Sequence, residues 1–258
     1  MSFLKQPLNT AIMSLPLWTH FTPSYAVGLL CSCCKQKGLN IKKYEIEIEF
    51  YHHVSDENKT VWIPENTPYW DNPENAEQLF DKYQESFFIP QIKRLQNAGH
   101  NVFAFTVNNR SLAFTGEFIR LLKKMIPESY VILGGPTAFS APEKMIDIDG
   151  VDGVCLGEAD ELFPQFLLDL QENGSPKQYE GFFIRTNDGS VSRSKRVKGP
   201  SDIDSLPFPD FSDCNLNLYK DVGALPTNLS RGCLQRCSYC AESPNFGKFR
   251  FRSGENLF

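Results

Sequence analysis

The sequence lacks the features that mark several large classes of protein. No apolar run is long enough to cross a membrane, since YAVGLLCSCC reaches only about half the length of a spanning helix. The first residues do not match a signal peptide, because their apolar part is short and is broken by Pro16. The sequence also contains no internal repeat and no low-complexity tract. We therefore expect a cytoplasmic protein that has no membrane partner.

Strong charge of either sign is also missing. The 258 residues carry a net charge of −5. Residues 1–180 contain 15 Lys and Arg against 23 Asp and Glu, whereas residues 181–258 contain 11 against 8. Neither part is basic enough for nucleic acid to be the main partner. The apolar content of 41% is ordinary for a globular protein, and the length allows one large domain or one domain and part of a second.

Strand and helix patterns alternate along the first 175 residues. Short apolar or alternating runs between turn residues predict strands, and longer runs with helical periodicity predict helices. This alternation is typical of an α/β protein with a doubly wound parallel sheet and helices on both faces. The predicted strands are 9–17, 42–50, 101–107, 130–135 and 151–157, and the predicted helices are 25–38, 73–99 with an interruption at Pro90, 115–126 and 158–174.

The composition changes after this region. Residues 181–197 predict a hairpin that turns at Asn187–Gly189, and residues 201–213 have the Pro, Asp and Ser content of a linker. A further predicted strand, 224–230, leads directly into a group of cysteines. The predicted domains are an α/β domain at 1–175, a hairpin and linker at 176–225, and the start of another domain at 226–258.

The most specific pattern is the spacing of Cys233, Cys237 and Cys240, a C-x3-C-x2-C motif that follows a predicted strand. Clustered cysteines in a reducing compartment indicate a metal site or catalysis rather than disulfides. Structural zinc sites and common iron–sulfur clusters use four protein ligands, so a set of three leaves one position free for a substrate or cofactor. The alternative is a zinc knuckle whose fourth ligand is Cys214 or a histidine.

The segment RGCLQRCSYC resembles the signature of the radical S-adenosylmethionine (SAM) enzymes. The resemblance implies that Cys233, Cys237 and Cys240 ligate a 4Fe-4S cluster whose open iron chelates the amino and carboxylate groups of SAM. It also implies that Tyr239 lies near the adenine of SAM. In that family one electron from the cluster cleaves SAM to a 5′-deoxyadenosyl radical, which abstracts hydrogen from a substrate.

Upstream segments are similar, in the same order, to those of radical SAM proteins that carry a cobalamin-binding domain. They include VILGGPTAFSAPEKM and VDGVCLGEADELFPQFL, with GEAD where that family usually has GEGE. This resemblance implies a Rossmann-like domain that holds cobalamin across the carboxyl ends of its strands. The implied cobalamin-binding residues are Thr106, Asn108, Gly134, Gly135, Pro136, Gly157 and Glu158.

One segment departs from the cobalamin motif D-x-H-x-x-G. The sequence WTHFTP supplies the histidine as His20, but Trp18 and Pro23 replace the aspartate and the glycine. The aspartate orients such a histidine, so His20 remains only a candidate cobalt ligand.

The cysteines outside the motif are expected to be structural. Cys31, Cys33 and Cys34 fall on a predicted helix, where residues two and three apart do not converge well on one metal. Cys155 lies in the middle of a predicted strand. Free cysteines are among the most buried residue types, so we expect all four in the core.

Radical SAM proteins build a partial barrel after their cysteines, which needs about 200 residues by comparison with barrels in general. Only 18 residues follow Cys240, and GENLF is similar to the start of the first barrel helix. We therefore expect this chain to be an incomplete fragment that does not cleave SAM by itself.

The resemblance implies an iron–sulfur, SAM-dependent radical enzyme that transfers a methyl group from methylcobalamin to an unactivated centre. The implied partners are a small-molecule or peptide substrate and an electron donor such as flavodoxin or ferredoxin. Two alternatives remain open. The front domain has lost cobalamin in the first, and in the second the chain is a non-catalytic corrinoid- or zinc-binding module.

Overall fold

The computed structural model of the protein describes residues 7–221, 223–235, 237–240 and 245–257. Strands in these ranges form one large sheet and one small sheet. The strands are β1 (Thr10–Ser14), β2 (Ile41–Tyr44), β3 (Val102–Thr106), β4 (Tyr130–Gly134), β5 (Gly153–Cys155), β6 (Phe182–Arg185), β7 (Val191–Ser192), β8 (Ser230–Arg231) and β9 (Arg250–Phe251).

The large sheet has seven strands in the order β2-β1-β3-β4-β5-β6-β7. The first five strands along the chain pair in parallel, and β6 and β7 are antiparallel to their neighbours. The parallel part has the order 2-1-3-4-5, in which the winding direction reverses between β1 and β3. The predicted α/β class and the mostly parallel sheet are therefore confirmed.

Helices cover both faces of the large sheet. Short 3-10 segments at Thr60–Trp62, Pro64–Asp71 and Leu216–Leu218 connect some of them. The helices are α1 (Tyr25–Gln36), α2 (Ile46–His53), α3 (Asp56–Lys59), α4 (Pro73–Tyr83), α5 (Ile89–Asn97), α6 (Leu112–Met125), α7 (Thr137–Ser140), α8 (Pro142–Ile146), α9 (Leu162–Asn173) and α10 (Gly254–Leu257).

Each face of the sheet has its own apolar core. Along β3, Phe103 and Phe105 point to the face covered by α4, α5 and α6, whereas Val102 and Ala104 point to the face covered by α1 and α9. All five residues of β3 are buried. Its continuous apolar sequence is therefore that of a central strand with helices on both sides.

The four cysteines on α1 and β5 lie in the core, as predicted. Cys31, Cys34 and Cys155 pack between α1, α9 and the sheet, and Cys33 packs against the linker that follows β7. Burial raises the pKa of the Cys31 and Cys33 thiols to about 12. These thiols therefore stay protonated at neutral pH and act as small apolar residues.

The predicted strand at 42–50 is wrong in its second half, because the strand ends at Tyr44 and α2 follows. A strand would turn every second residue of IEIEF to solvent. Glu47 is only 4% exposed, however, and Oε1 of its carboxyl group accepts the backbone N–H of Trp18 at 2.6 Å. Tertiary packing therefore overrides the alternating pattern.

Two further elements differ from the prediction. The strand predicted at 224–230 is formed only at β8, which pairs with β9. The helix predicted at 73–99 with an interruption at Pro90 is interrupted slightly earlier, by a π-helical segment at Gln84–Phe88 that joins α4 and α5. Pro90 lies in the first turn of α5, directly after the π-helical segment.

The predicted hairpin at 181–197 is present as β6 and β7, and it extends the large sheet next to β5. Within the part of the chain that the structure describes, no helix has both the length and the apolar sequence of a membrane span.

Candidate functional site

A cavity of about 250 Å³ lies at the carboxyl ends of β1, β3, β4 and β5. Sheets of this kind bind ligands at these ends, in the crevice where the winding reverses. Helices α1 and α9 contribute apolar side chains such as Leu29 and Phe163. Asn228, Arg231 and Phe246, which flank the cysteine motif, also line the cavity. The sheet and the cysteine segment therefore share one cavity, which we call the sheet-end cavity.

Two glycines shape the wall of the sheet-end cavity. Gly135 has a φ of +97°, and a Cβ atom there would lie 2.7 Å from the backbone nitrogen of Val107. Gly157 has a φ of +103°, and a Cβ atom there would lie 2.9 Å from Cγ of Arg196. Glycine adopts such angles without strain, so backbone rather than side chains forms the wall at these turns.

The structure brings together most of the residues that the sequence predicts to bind cobalamin. Asn108 and His20 are the two that do not line the sheet-end cavity. The predicted residues that do line it are Thr106, Gly134, Gly135, Pro136, Gly157 and Glu158.

Asn108 holds the loop that leads into α6. Its side-chain amide donates to the carbonyl of Leu17 at 2.6 Å. Its Oδ1 accepts the backbone N–H groups of Arg110 and Ser111, each at 2.9 Å. These bonds give the side chain a structural role outside the cavity.

His20 packs against α2. Its ring stacks on that of Tyr51 with 4.7 Å between centroids, and it also contacts Phe21 at 4.4 Å. Burial lowers the pKa of His20, and the nearby charge of Lys220 lowers it further. The assignment of His20 as a cobalt ligand therefore gains no support from its position.

Four charged side chains form a buried ion cluster beside the sheet-end cavity, consisting of Glu158, Asp160, Arg231 and Arg250. Arg231 donates from Nη1 to Oε2 of Glu158 at 2.6 Å and from Nη2 to Oδ1 of Asp160 at 2.9 Å. Arg250 donates from Nη2 to Oε1 of Glu158 at 2.6 Å. The side chains are between 5% and 13% exposed. Two carboxylates and two guanidinium groups therefore compensate one another away from water.

This ion cluster fixes the start of the cysteine segment to the sheet. Burial alone would lower the pKa of Arg231, but hydrogen bonds and charge from Asp160 and Glu158 outweigh it and raise the pKa. Glu158 and Asp160 belong to the loop between β5 and α9, whereas Arg231 and Arg250 belong to β8 and β9. A Cβ atom at Gly199 would lie 2.6 Å from Oε1 of Glu158, so a larger residue there would displace this carboxylate.

The three motif cysteines lie near the surface. Cys233 is half-buried, and Cys237 and Cys240 are exposed. The backbone N–H of Gln235 donates to Sγ of Cys233 at 3.3 Å. Tyr239 is 91% exposed. Among the described residues, no three His, Cys, Asp or Glu side chains are arranged to hold a metal ion.

The chemistry of this loop fits a cluster with thiolate ligands, although the three sulfur atoms do not converge here. The turn before Cys233 depends on Gly232, whose φ is +76° and whose Cβ atom would lie 2.6 Å from the carbonyl oxygen of Lys248. Three thiols on a tight loop match the donor set of an iron–sulfur cluster. Arg236, in the middle of the motif, lies outside the described residues.

Cys214, the alternative zinc ligand, lies beside Glu45 instead of in this loop. Burial and the hydrogen bond to Glu45 raise the pKa of its thiol to about 12. The described residues therefore give a zinc knuckle with Cys214 no support.

A second cavity of about 310 Å³ adjoins the sheet-end cavity, and Trp18, Tyr25 and Ala26 line both. Glu47 lies in its wall, and burial raises the pKa of this carboxyl to about 8. The sequence does not identify Glu47 as buried, because the alternating pattern of 42–50 predicts a strand that turns its glutamates to solvent.

Sequence reasoning also missed the ion cluster. Arg231 stands two residues before Cys233, and Asp160 belongs to the GEAD segment. The sequence shows only that one segment is acidic and that the other, about 70 residues later, contains an arginine. Opposite charges do not by themselves indicate that the two segments are in contact. The acidic residues of GEAD also precede α9, which begins only at Leu162, so they do not form the start of that helix.

Two curated proteins are similar in sequence. Cytidylyl-2-hydroxyethylphosphonate methyltransferase of Streptomyces wedmorensis is 26% identical over 171 residues, which are 54% of this chain and 32% of that protein. An uncharacterised methyltransferase of Pyrococcus horikoshii is 27% identical over 180 residues, which are 68% of this chain and 39% of that protein. The chain therefore spans about a third of the length of these relatives.

Two solved structures share the fold. The cobalamin-dependent SAM radical enzyme OxsB, with aquacobalamin and SAM bound, superposes with a TM-score of 0.68 at 16% identity over 97% of this chain and 30% of OxsB. The radical SAM methyltransferase TsrM from Kitasatospora setae, with tryptophan and a SAM analogue bound, gives 0.59 at 15% identity over 96% of this chain and 44% of TsrM.

No model of a protein family matches the chain. The sequence relatives are both named as methyltransferases, and the fold is that of the N-terminal part of OxsB and TsrM. The chain is therefore similar in sequence to two proteins named as methyltransferases, and it shares its fold with two cobalamin-dependent or radical SAM enzymes of known structure.

Proposed function

We propose that the chain forms the corrinoid-binding and cluster-binding part of a SAM-dependent radical methyltransferase. One observation supports this most strongly, namely that the sheet and the cysteine segment line a single cavity. Arg231 contributes to that cavity and stands two residues before Cys233, so a ligand in the cavity lies next to the thiol loop.

The sheet-end cavity fits part of a flat corrin. Gly134 and Gly135 let the backbone approach a planar ligand closely, and Leu29 and Phe163 exclude water from it. Its volume of about 250 Å³ is small for a large cofactor, so a corrinoid would extend into adjoining space. Bound cobalamin would supply the methyl group, while the protein positions it and keeps the site dry.

The cysteine loop supplies the second cofactor site in this proposal. Cys233, Cys237 and Cys240 would ligate the 4Fe-4S cluster, and the exposed ring of Tyr239 would contact SAM. The cluster would provide the electron that cleaves SAM. The ion cluster holds the backbone before Gly232 in place, so the first thiol has a fixed position relative to the cavity.

Methyl transfer is supported by the names of both sequence relatives. The substrate is proposed to be a small molecule or a peptide, and the electron donor a flavodoxin or ferredoxin. The alternatives are a radical SAM protein without cobalamin and a non-catalytic corrinoid- or zinc-binding module. Measurements of metal binding and of corrinoid binding distinguish the proposal from both alternatives.

The metal is tested by anaerobic reconstitution of the purified chain with iron and sulfide. We expect about four irons per chain, with the visible absorbance of a cluster. Cys237→Ser should abolish it, and Cys214→Ser should leave it unchanged. One tightly bound zinc, lost in both variants, would instead identify a zinc knuckle.

Corrinoid binding is tested by titrating aquacobalamin into the chain and following its absorbance. Ala26→Trp places a large side chain at the half-exposed edge of the sheet-end cavity and should weaken binding about tenfold or more. Ala98→Trp is the matched control, because Ala98 is exposed and outside the cavity. Iron incorporation without aquacobalamin binding would favour the cobalamin-free alternative.

A further inference from the structure

A third cavity, of about 750 Å³, lies on the other side of the ion cluster. It shares Glu158 and Phe246 with the sheet-end cavity, but its lining has a different character. Its volume is within the range of small-molecule sites. The segment after β7 and the segment around β9 form its walls.

Basic side chains dominate this third cavity. Arg196, Lys198, Lys248 and Arg250 line it, and among the described residues of its lining the one acidic residue is Glu158. Both carboxylate oxygens of Glu158 are already bound by Arg231 and Arg250. The ion pairs of the described residues include neither Lys198 nor Lys248. Lys198 and Lys248 therefore make the described lining of the cavity positively charged.

The two arginines of this cavity are held in fixed orientations. The guanidinium of Arg196 lies 4.5 Å from the ring centroid of Phe139 and donates to the carbonyl of Phe139 at 3.1 Å. Burial lowers the pKa of Arg196. Arg250 donates to the carbonyl of Phe246 at 2.7 Å. A planar guanidinium such as that of Arg196 is suited to oxyanions, and lysines bind phosphate as point charges. The donors of Arg250 are taken by Glu158 and by backbone carbonyls, so Arg250 shapes the wall instead.

We propose that the third cavity binds a phosphorylated small ligand that carries two or more negative charges, separate from the corrinoid. The phosphodiester of a corrinoid nucleotide tail carries only one negative charge, which is fewer than the basic side chains of the cavity can balance. Arg196, Lys198 and Lys248 would contact the phosphoryl oxygens. The neutral ion cluster would separate the third cavity from the sheet-end cavity, so the phosphorylated ligand would lie next to the corrinoid site and not in it.

The proposal is tested by titrating inorganic pyrophosphate into the full 258-residue chain at constant ionic strength, by calorimetry. The variant Lys198→Ala/Lys248→Ala should weaken binding about tenfold or more, because it removes two charge-assisted contacts. The matched control is Lys124→Ala/Lys144→Ala, which removes two exposed lysines outside the cavities described above and should change the dissociation constant less than about twofold. No binding by the unaltered chain, or equal weakening in both variants, would overturn the proposal.

A second titration identifies the source of the phosphoryl group. Aquacobalamin carries a phosphodiester and cobinamide lacks the nucleotide tail, so the two are compared in the presence and absence of pyrophosphate. We expect Lys198→Ala/Lys248→Ala to bind both corrinoids as the unaltered chain does. Competition of pyrophosphate with aquacobalamin but not with cobinamide would overturn the assignment to a separate ligand. Failure of both corrinoids to bind would count against the proposed function and leave the pyrophosphate result intact.

Discussion

In the sheet domain, the residues around the sheet-end cavity lie at the ends of strands that are buried on both faces. The cysteine segment has two-residue strands, β8 and β9, and carries exposed apolar side chains such as Leu234, at 78%, and Phe251, at 65%. A cavity between strand ends is therefore formed by the packing of the whole domain. A thiol loop depends on local sequence and on a few contacts to the sheet.

The ion cluster is a buried polar link between these two regions. Arg231 and Arg250 are bound to Glu158, whose loop also forms the wall of the sheet-end cavity. Buried ion pairs stabilise little compared with apolar packing, but they fix a geometry, and breaking one is costly. The difference between the regions can therefore be tested by comparing the stabilities of three kinds of variant. These change the ion cluster, the wall of the sheet-end cavity and a buried carboxyl group.

The largest effect is expected from Arg231→Met, which leaves Glu158 and Asp160 without their shared partner. Breaking a buried pair in this way costs about 3–5 kcal/mol. Arg120→Met is the matched control, because Arg120 is 63% exposed in its pair with Glu117 and should cost less than about 1 kcal/mol. Urea unfolding of both variants measures the free energies, and equal losses would contradict a structural role for the ion cluster.

A smaller effect is expected when a methyl group is added to the cavity wall. Gly135→Ala places Cβ 2.7 Å from a backbone nitrogen at a φ of +97°. Gly174→Ala has a φ of +73° but no atom within 4 Å of the new methyl group, so it reports the backbone strain alone. Gly135→Ala should lower the free energy of unfolding by about 1–3 kcal/mol more than Gly174→Ala does. If thermal unfolding shows no difference, the wall can relax and the close approach is not required.

The last effect concerns pH, and it is a slope of stability with pH rather than a loss at one pH. Burial raises the pKa of Glu47 from 4.5 in an unfolded chain to about 8 in the folded state. The folded state therefore holds a proton that the unfolded state releases, so this contribution to stability is full below pH 4.5 and is lost as the pH rises towards 8. The slope is at most about 1.4 kcal/mol per pH unit.

Glu47→Gln should flatten this part of the stability profile, because glutamine does not titrate. Urea unfolding between pH 5 and pH 8 checks the slope in both proteins. Glu143→Gln, at an exposed position on α8, should show the same dependence of stability on pH as the unaltered chain. A profile for Glu47→Gln that still falls with pH would show that another group is responsible.

Local sequence determined much of the fold. The apolar run of β3 and the helical periodicity of α6 identify elements whose type does not depend on their neighbours. The alternation of such elements along the chain predicts the parallel sheet, and the turn glycines predict where its strands end. The cysteine spacing likewise stands out in the sequence alone, because metal ligation requires particular residue types close together.

Only the tertiary structure decided which residues meet. Ile46–His53 is a helix that buries Glu47 against the backbone of Trp18, a contact between residues 29 positions apart. Arg231 and Asp160 form their ion pair across 71 positions, and no local pattern specifies such a pairing. The physical reason is that burial and charge compensation depend on distances in space, whereas periodicity, turn chemistry and cysteine spacing act between neighbours along the chain.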